Sequence, residues 1–239
     1  MGISLAADDE IRDLAIAFAK ANKKSIARRL TDPAKYPADQ NPVSVFMAGS
    51  PGAGKTESSI ELLKKFPEKP ILRLDPDDLR SEFPQYTGTN SHLFQAGVSI
   101  LVDKIHDCVL DQSQSFLLDG TLSSYEIAHR NIKRSLDKKR TVQILYVYQE
   151  PHLAWEFVRA REAAEGRRIQ IETFIDQYFG ARDVVNRLKR EYQSRIKVDL
   201  LIKNNDNSQR SYKAGVDQID NHVPERYTRD DLQKLFKPA

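Results

Sequence analysis

The stretch VSVFMAGSPGAGKTE, Val43 to Glu57, is a short apolar run that breaks into a glycine-rich turn. Gly49, Gly54, Lys55 and Thr56 satisfy the phosphate-binding pattern G-x-x-x-x-G-K-[ST]. The pattern has a physical basis. Its glycines let backbone N–H groups approach phosphate oxygens, and the helix that follows turns its positive end toward them. Lys55 is suited to bridge the β- and γ-oxygens, and the Thr56 hydroxyl to ligate Mg²⁺. Nucleotide contacts are expected from Gly49, Ser50, Pro51, Gly52, Ala53, Gly54, Lys55, Thr56 and Glu57. The context agrees, because VSVFMAG reads as a buried strand and TESSIELLKKF as a helix. A chain with such a loop must build a strand–loop–helix unit, which restricts the fold more than any other feature here.

The remaining chain continues that alternation. Asp8 to Leu30 places Ile11, Leu14, Ala15, Phe18, Ala19, Ile26 and Leu30 at helical spacing, and the connector TDPAKYPADQNP follows. ILRLD, SFLLD, TVQILYVYQ and VDLLIKN read as further strands. Helices are expected from the start of DDLRSEF, over Leu93 to Leu110, Tyr125 to Lys138, His152 to Glu165 and Ile171 to Gln193. EGRRI marks a break, NNDNSQ a polar turn, and TRDDLQKLF a short helix opened by a Thr228/Asp231 capping box. Strands alternating with helices predict an α/β chain of P-loop NTPase fold. Its central sheet would hold about five mostly parallel strands, with helices on both faces. The expected layout is one kinase-type domain over 1–239. Residues 1–42 would form a leading helix and connector, 43–205 the core, with an arginine lid near 161–168, and 206–239 a tail.

Composition excludes several other classes. The 239 residues are 40% hydrophobic and 30% charged, enough for a sizeable core, and no apolar run is long enough for a transmembrane helix. A net charge of +3 is too slight for a nucleic-acid groove. The single cysteine, Cys108, permits no internal disulfide and reads as a small core residue. MGISLAADDE lacks the basic and apolar regions of a secretory signal, so a cytoplasmic protein is expected. The five histidines show no paired metal-binding spacing, which leaves nucleotide-bound Mg²⁺ as the expected metal.

The loop alone leaves hydrolysis, switching and transfer open. A GTPase switch would need D-x-x-G and N-K-x-D, and Lys203-Asn204-Asn205-Asp206 has the order wrong. Transfer needs a group beside an acceptor hydroxyl. LDPDDLR places Asp77 and Asp78 just past a strand, where open α/β sheets put their ligands. One of them could take the hydroxyl proton, or merely cap the next helix. Asp119, ending SFLLD, could hold Mg²⁺ through water, contact substrate, or serve as a turn former before Gly120. AWEFVRAREAAEGRRI carries four arginines. Arg161 and Arg168 would flank a lid broken at Gly166, placed to clamp a phosphoryl group as charge gathers on it. Arg159 and Arg167 read as a solvated face. Two rivals remain open: a phosphotransferase acting on a nucleoside, nucleotide or adenylyl sulfate, and a non-catalytic, nucleotide-dependent binding module.

In order and context, GSPGAGKT, LDPDDLRSEFPQY, FLLDGTL and the arginine-bearing helix resemble the zeta toxin family of P-loop kinases, over roughly Ala15 to Asn205. The run D-x-D-x-[FL]-[RK] followed by P-x-[YF] is its more specific part. The resemblance implies transfer of the γ-phosphate of ATP to the 3′-hydroxyl of the amino sugar of UDP-N-acetylglucosamine, which starves cell-wall synthesis. It implies Asp77 as catalytic base, Lys55 as phosphate-bridging lysine, and Arg161 and Arg168 as the clamp. Arg80, Asp103, Asp119 and Thr121 would join Asp77 at the substrate, with Asp119 standing where the family often has glutamate. It also implies a small antitoxin that blocks the ATP site. The Asp8–Leu30 helix reads as part of the fold rather than a built-in inhibitor.

Overall fold

The computed structural model describes residues 2–166, 169–204, 206, 209–224 and 226–236. Its elements run α1 (Gly2–Leu30), β1 (Val43–Ala48), α2 (Lys55–Lys64), β2 (Leu72–Leu74), α3 (Gln95–Asp111), β3 (Phe116–Leu118), α4 (Tyr125–Asp137) and β4 (Thr141–Tyr148). Then come α5 (Pro151–Glu165), α6 (Ile171–Tyr192), β5 (Ile196–Lys203), β6 (Gln209–Lys213) and α7 (Arg229–Phe236). The sheet order is β2-β3-β1-β4-β5-β6, parallel except for β6, which pairs antiparallel to β5. The sheet thus has one strand more than the sequence predicts. QRSYK carries no apolar alternation, and as an edge strand it needs none.

The strand order explains how the helices divide. Leaving β1, the chain passes over β3 to reach β2; every later parallel crossover moves in the opposite direction along the sheet. Right-handed crossovers therefore put α2 on one face and the helices of the other crossovers on the opposite face. The cores match. Met47, Leu117, Leu145, Val147 and Leu201 form a small cluster with Ala53, flanked by Leu62 and Leu63 of α2. The alternate residues Phe46, Phe116, Leu118, Ile144, Tyr146 and Leu200 join the larger cluster with α1, α3, α4, α5 and α6. Connections leave β1 and β3 toward opposite faces, so the crevice of the topological switch point opens between their C-terminal ends.

Local chemistry fixes the helix ends. α5 stops at Gly166, whose φ of 71° lies in the left-handed region, at the break expected from the sequence. Before α7, Thr228 N donates to Asp231 Oδ2 at 2.8 Å and Asp231 N to Thr228 Oγ1 at 3.2 Å, a complete capping box. DDLRSEF differs from expectation. It forms only a 3-10 turn, Asp78–Glu82, because Pro84 follows at once and Phe83 swings to an extended conformation. α1 packs along α3 and is an integral part of the main core through Ala15, Ala19, Ile26 and Ala27. Leu14, counted on its apolar stripe, is 45% exposed. α3 and α4 run side by side, joined by Arg130–Asp103, Arg134–Asp107 and Lys138–Asp111.

Candidate phosphoryl-transfer site

The loop after β1 curls over the N-terminus of α2 as its sequence requires. Gly49, Gly52 and Gly54 have φ of 134°, 71° and 81°. Gly49 N donates to the carbonyl of Thr121 at 3.2 Å, which ties the loop to the segment after β3 across the switch point. Lys55 Nζ donates to the carbonyls of Gly49 and Ser50 at 3.0 and 2.6 Å. Burial pushes this ammonium down to about 8, while Asp119 and Asp77 pull it back up and Arg161 adds a like charge. One lysine therefore senses residues from three other places in the sequence: the turn after β2, the end of β3, and α5.

Strand alternation brings the acidic groups together. Leu72 and Leu74 face the large core, so Arg73 and Asp75 face α2; in register beside them, Leu117 and Asp119 do the same. Arg73 Nη2 meets Asp75 Oδ2 at 2.5 Å and Asp119 Oδ2 at 2.7 Å, and Nη1 meets Asp78 Oδ2 at 3.0 Å. Arg73 Nε donates to Ser59 Oγ of α2 at 3.0 Å, and that hydroxyl donates to Asp119 Oδ2 at 2.9 Å. Against the cost of burial, Asp119 and Asp75 hold the Arg73 guanidinium above its ordinary value. Burial, with Asp77 and Asp119 nearby, pushes the Asp75 carboxyl up to about 6.

Asp77 makes no capping hydrogen bond, so the capping alternative is not realised. Its N–H is held by Asp75 Oδ1 at 2.8 Å and its carboxylate accepts from Arg80. Arg80 is buried, reaching Gln95 at 3.4 Å. The Thr121 hydroxyl shares a hydrogen bond with Ser123 at 3.0 Å. Asp103 is not brought to this group: it lies on the α3 face held by Arg130 and Arg134. Arg161 is exposed on α5 yet close enough to act on Lys55. Arg168 lies outside the described residues. Gly166, at the end of the arginine helix, packs on Thr89 of the loop after the 3-10 turn, where an added Cβ would come within 2.8 Å of Thr89 Cγ2.

Sequence reasoning missed Arg73, Ser59 and Asp75. The available signal was a charged residue inside a short apolar strand, two positions before the acidic run.

No cluster of three metal-ligating side chains occurs among the described residues. Mg²⁺ bound with a nucleotide needs none, because phosphates and water fill most of its shell. The residues present fit such an ion: Thr56 opens α2, and Ser59 in the same turn region draws Asp119 against that helix.

A phosphate loop at the switch point of a sheet ordered 2-3-1-4-5, facing a carboxylate-bearing turn and an arginine helix, defines a phosphotransferase of the P-loop kinase class. The zeta toxin family model matches residues 26–217, and the chain belongs to that family. No curated protein sequence matches it. Among solved structures it is similar to the PezAT chromosomal toxin–antitoxin system of Streptococcus pneumoniae. The TM-score is 0.61 at 18% identity, covering 91% of this chain and 86% of that one. It is also similar to the AvrRxo1-ORF1:AvrRxo1-ORF2 complex with sulphate ions, with a TM-score of 0.58 at 16% identity over 89% of this chain and 70% of that one. The same complex with ATP gives 0.55 at 17%, over 87% and 64%. At these identities the likeness is one of fold.

Proposed function

We propose that the chain is an ATP- and Mg²⁺-dependent kinase that phosphorylates a hydroxyl of a sugar nucleotide. The proposed acceptor is the 3′-hydroxyl of the amino sugar of UDP-N-acetylglucosamine, and the consequence is interference with cell-wall synthesis. The observation that carries the reading is the convergence of Asp77, Asp119 and Arg161 on the half-buried Lys55, whose Nζ is held by the glycine loop.

In this reading Lys55 exchanges the carbonyls of Gly49 and Ser50 for oxygens of the β- and γ-phosphates. Asp77, fixed by its own N–H and by Arg80, orients the acceptor hydroxyl and takes its proton as the oxygen attacks γ-phosphorus. The bond from γ-phosphorus to the β,γ-bridging oxygen breaks and ADP departs. Arg161, with Arg168 as its proposed partner, offsets charge on the moving phosphoryl group. Mg²⁺, held by Thr56 and through water by Asp119, would supply further neutralisation of the phosphate oxygens. Arg80 and Thr121 are proposed to contact the acceptor, and Asp103 to do so only if the acceptor extends along α3. A small antitoxin covering the ATP site is the proposed partner, in the cytoplasm where both substrates occur; the pneumococcal match is itself described as a toxin–antitoxin system. No helix among the described residues is long and apolar enough to cross a membrane.

The test is the mass of the product formed from ATP with a panel of acceptors. UDP-N-acetylglucosamine should gain one phosphate. Phosphorylation of a nucleoside or adenylyl sulfate instead would reassign the acceptor, and turnover with none would favour a binding module. Asp77→Ala should retain ATP binding and lose about 10²–10⁴ in rate. Near-normal turnover by that variant rejects Asp77 as the base.

A further inference from the structure

We propose that Arg73 is a positioning residue of the transfer site, locking the metal-side carboxylate Asp119 to the turn that carries Asp77. The inference rests on the phosphotransfer reading above and deepens it. The linkage is continuous. Asp119 Oδ2 meets Arg73 at 2.7 Å, Arg73 meets Asp75 Oδ2 at 2.5 Å, and Asp75 Oδ1 holds the Asp77 N–H at 2.8 Å. Ser59 adds the nucleotide helix at 3.0 Å, and Asp78 closes the outer side at 3.0 Å. One planar guanidinium therefore binds together β2, β3, α2 and the turn after β2.

The side-chain type matters. Arginine presents five donors in a rigid fork, so it can serve Ser59, Asp75, Asp78 and Asp119 at once. Lysine could supply the charge but not that geometry. Asp75 and Asp119 are 7% and 4% exposed, and without a cation between them two buried carboxylates would repel. Each would shift: Asp119 relative to Thr56, and Asp75 together with the backbone of Asp77. Arg73 thus acts through the groups that would touch substrate and metal.

The experiment uses the full chain carrying Arg73→Lys or Arg73→Gln. Initial rates are measured against ATP and acceptor, and hydrogen exchange is followed at the Asp77 amide. Arg73→Lys should leave the KM for ATP unchanged and lower kcat by about 10²-fold, the usual effect of a small misplacement of reacting groups. Asp77 N–H should exchange faster, and Arg73→Gln should be worse on both counts. Asp75→Asn, which breaks the same linkage while keeping its shape, should reproduce the loss if an Arg73 variant folds poorly. Combined with Arg73→Lys it should add little, because both act on one path. Wild-type kcat in folded Arg73→Lys, an unchanged Asp77 exchange rate, or independent multiplication of the two losses overturns the proposal. Should the wild-type chain phosphorylate no acceptor, the kinase reading fails, and exchange at Asp77 still decides whether Arg73 sets that turn.

Discussion

A methyl group placed on Gly52 would lie 2.0 Å from the carbonyl oxygen of Ala154 on α5. Backbone cannot yield as a flexible side chain can, and the φ of 71° is unfavourable for any residue with a Cβ. Gly52→Ala should therefore push the phosphate loop off α5, costing about 1–2 kcal/mol from conformation alone. Nucleotide affinity should fall well beyond that figure, because several N–H groups lose their aim together. Titration with a fluorescent ATP analogue checks this, and unchanged affinity would show that the loop tolerates the shift. Such positions are legible in a sequence because only glycine solves their geometry. Arg73 is not: its role follows from what stands opposite it in β3 and α2, and register between distant segments is not written in either. Asp119 was legible as a strand-end carboxylate, but its partner was not. Aspartate reaches one methylene less than the glutamate often found there in the family, and here Arg73 and Ser59 hold the carboxylate.

Among the elements, α1 tests how the leading helix belongs to the fold. It approaches α3 at Gly97, where an added Cβ would meet Phe83 Cε1 at 2.8 Å and the Ala15 carbonyl oxygen at 3.0 Å. Phe83 packs in turn at a tilt against Phe18 and Phe94, with ring centroids 5.3 Å away in both cases. Gly97→Val should force α1 from α3 and displace this aromatic group, destabilising the fold by about 1–3 kcal/mol, as overpacking does. The melting temperature should drop and the Asp77 turn, which leads into Phe83, should loosen. An unaltered melting curve would mean that α1 sits on the core without supporting it. Periodicity made α1 readable, since Ala15, Ala19 and Ile26 recur at helical spacing. It misassigned the DDLRSEF segment, where the apolar spacing lasts for one turn only and Pro84 ends it. β6 escaped for the opposite reason: an antiparallel edge strand is held by main-chain pairing, which polar side chains do not betray.

At the scale of the whole molecule, stability in acid should depend on one imidazole. His106 of α3 is 1% exposed between Phe46 and Phe116, with ring centroids at 6.2 and 5.0 Å. Burial, reinforced by Arg134, Arg140 and Arg130, pushes it from 6.5 down to about 3; Asn131 approaches without closing a regular hydrogen bond. The sign follows from linkage. Between pH 6.5 and about 3 the unfolded chain binds a proton at this position that the folded chain refuses. Acidification therefore favours unfolding, by up to about 1.4 kcal/mol per pH unit from this group. Above pH 6.5 the effect vanishes, because both states hold a neutral ring. His106→Met keeps an apolar side chain in the same space and removes two ring nitrogens that lack partners. At pH 8 the variant should be at least as stable as the wild type, and its advantage should grow as the pH falls from 6 to 4. Denaturant midpoints measured across that range read the difference directly. Parallel curves for the two proteins would show that His106 does not set the acid sensitivity.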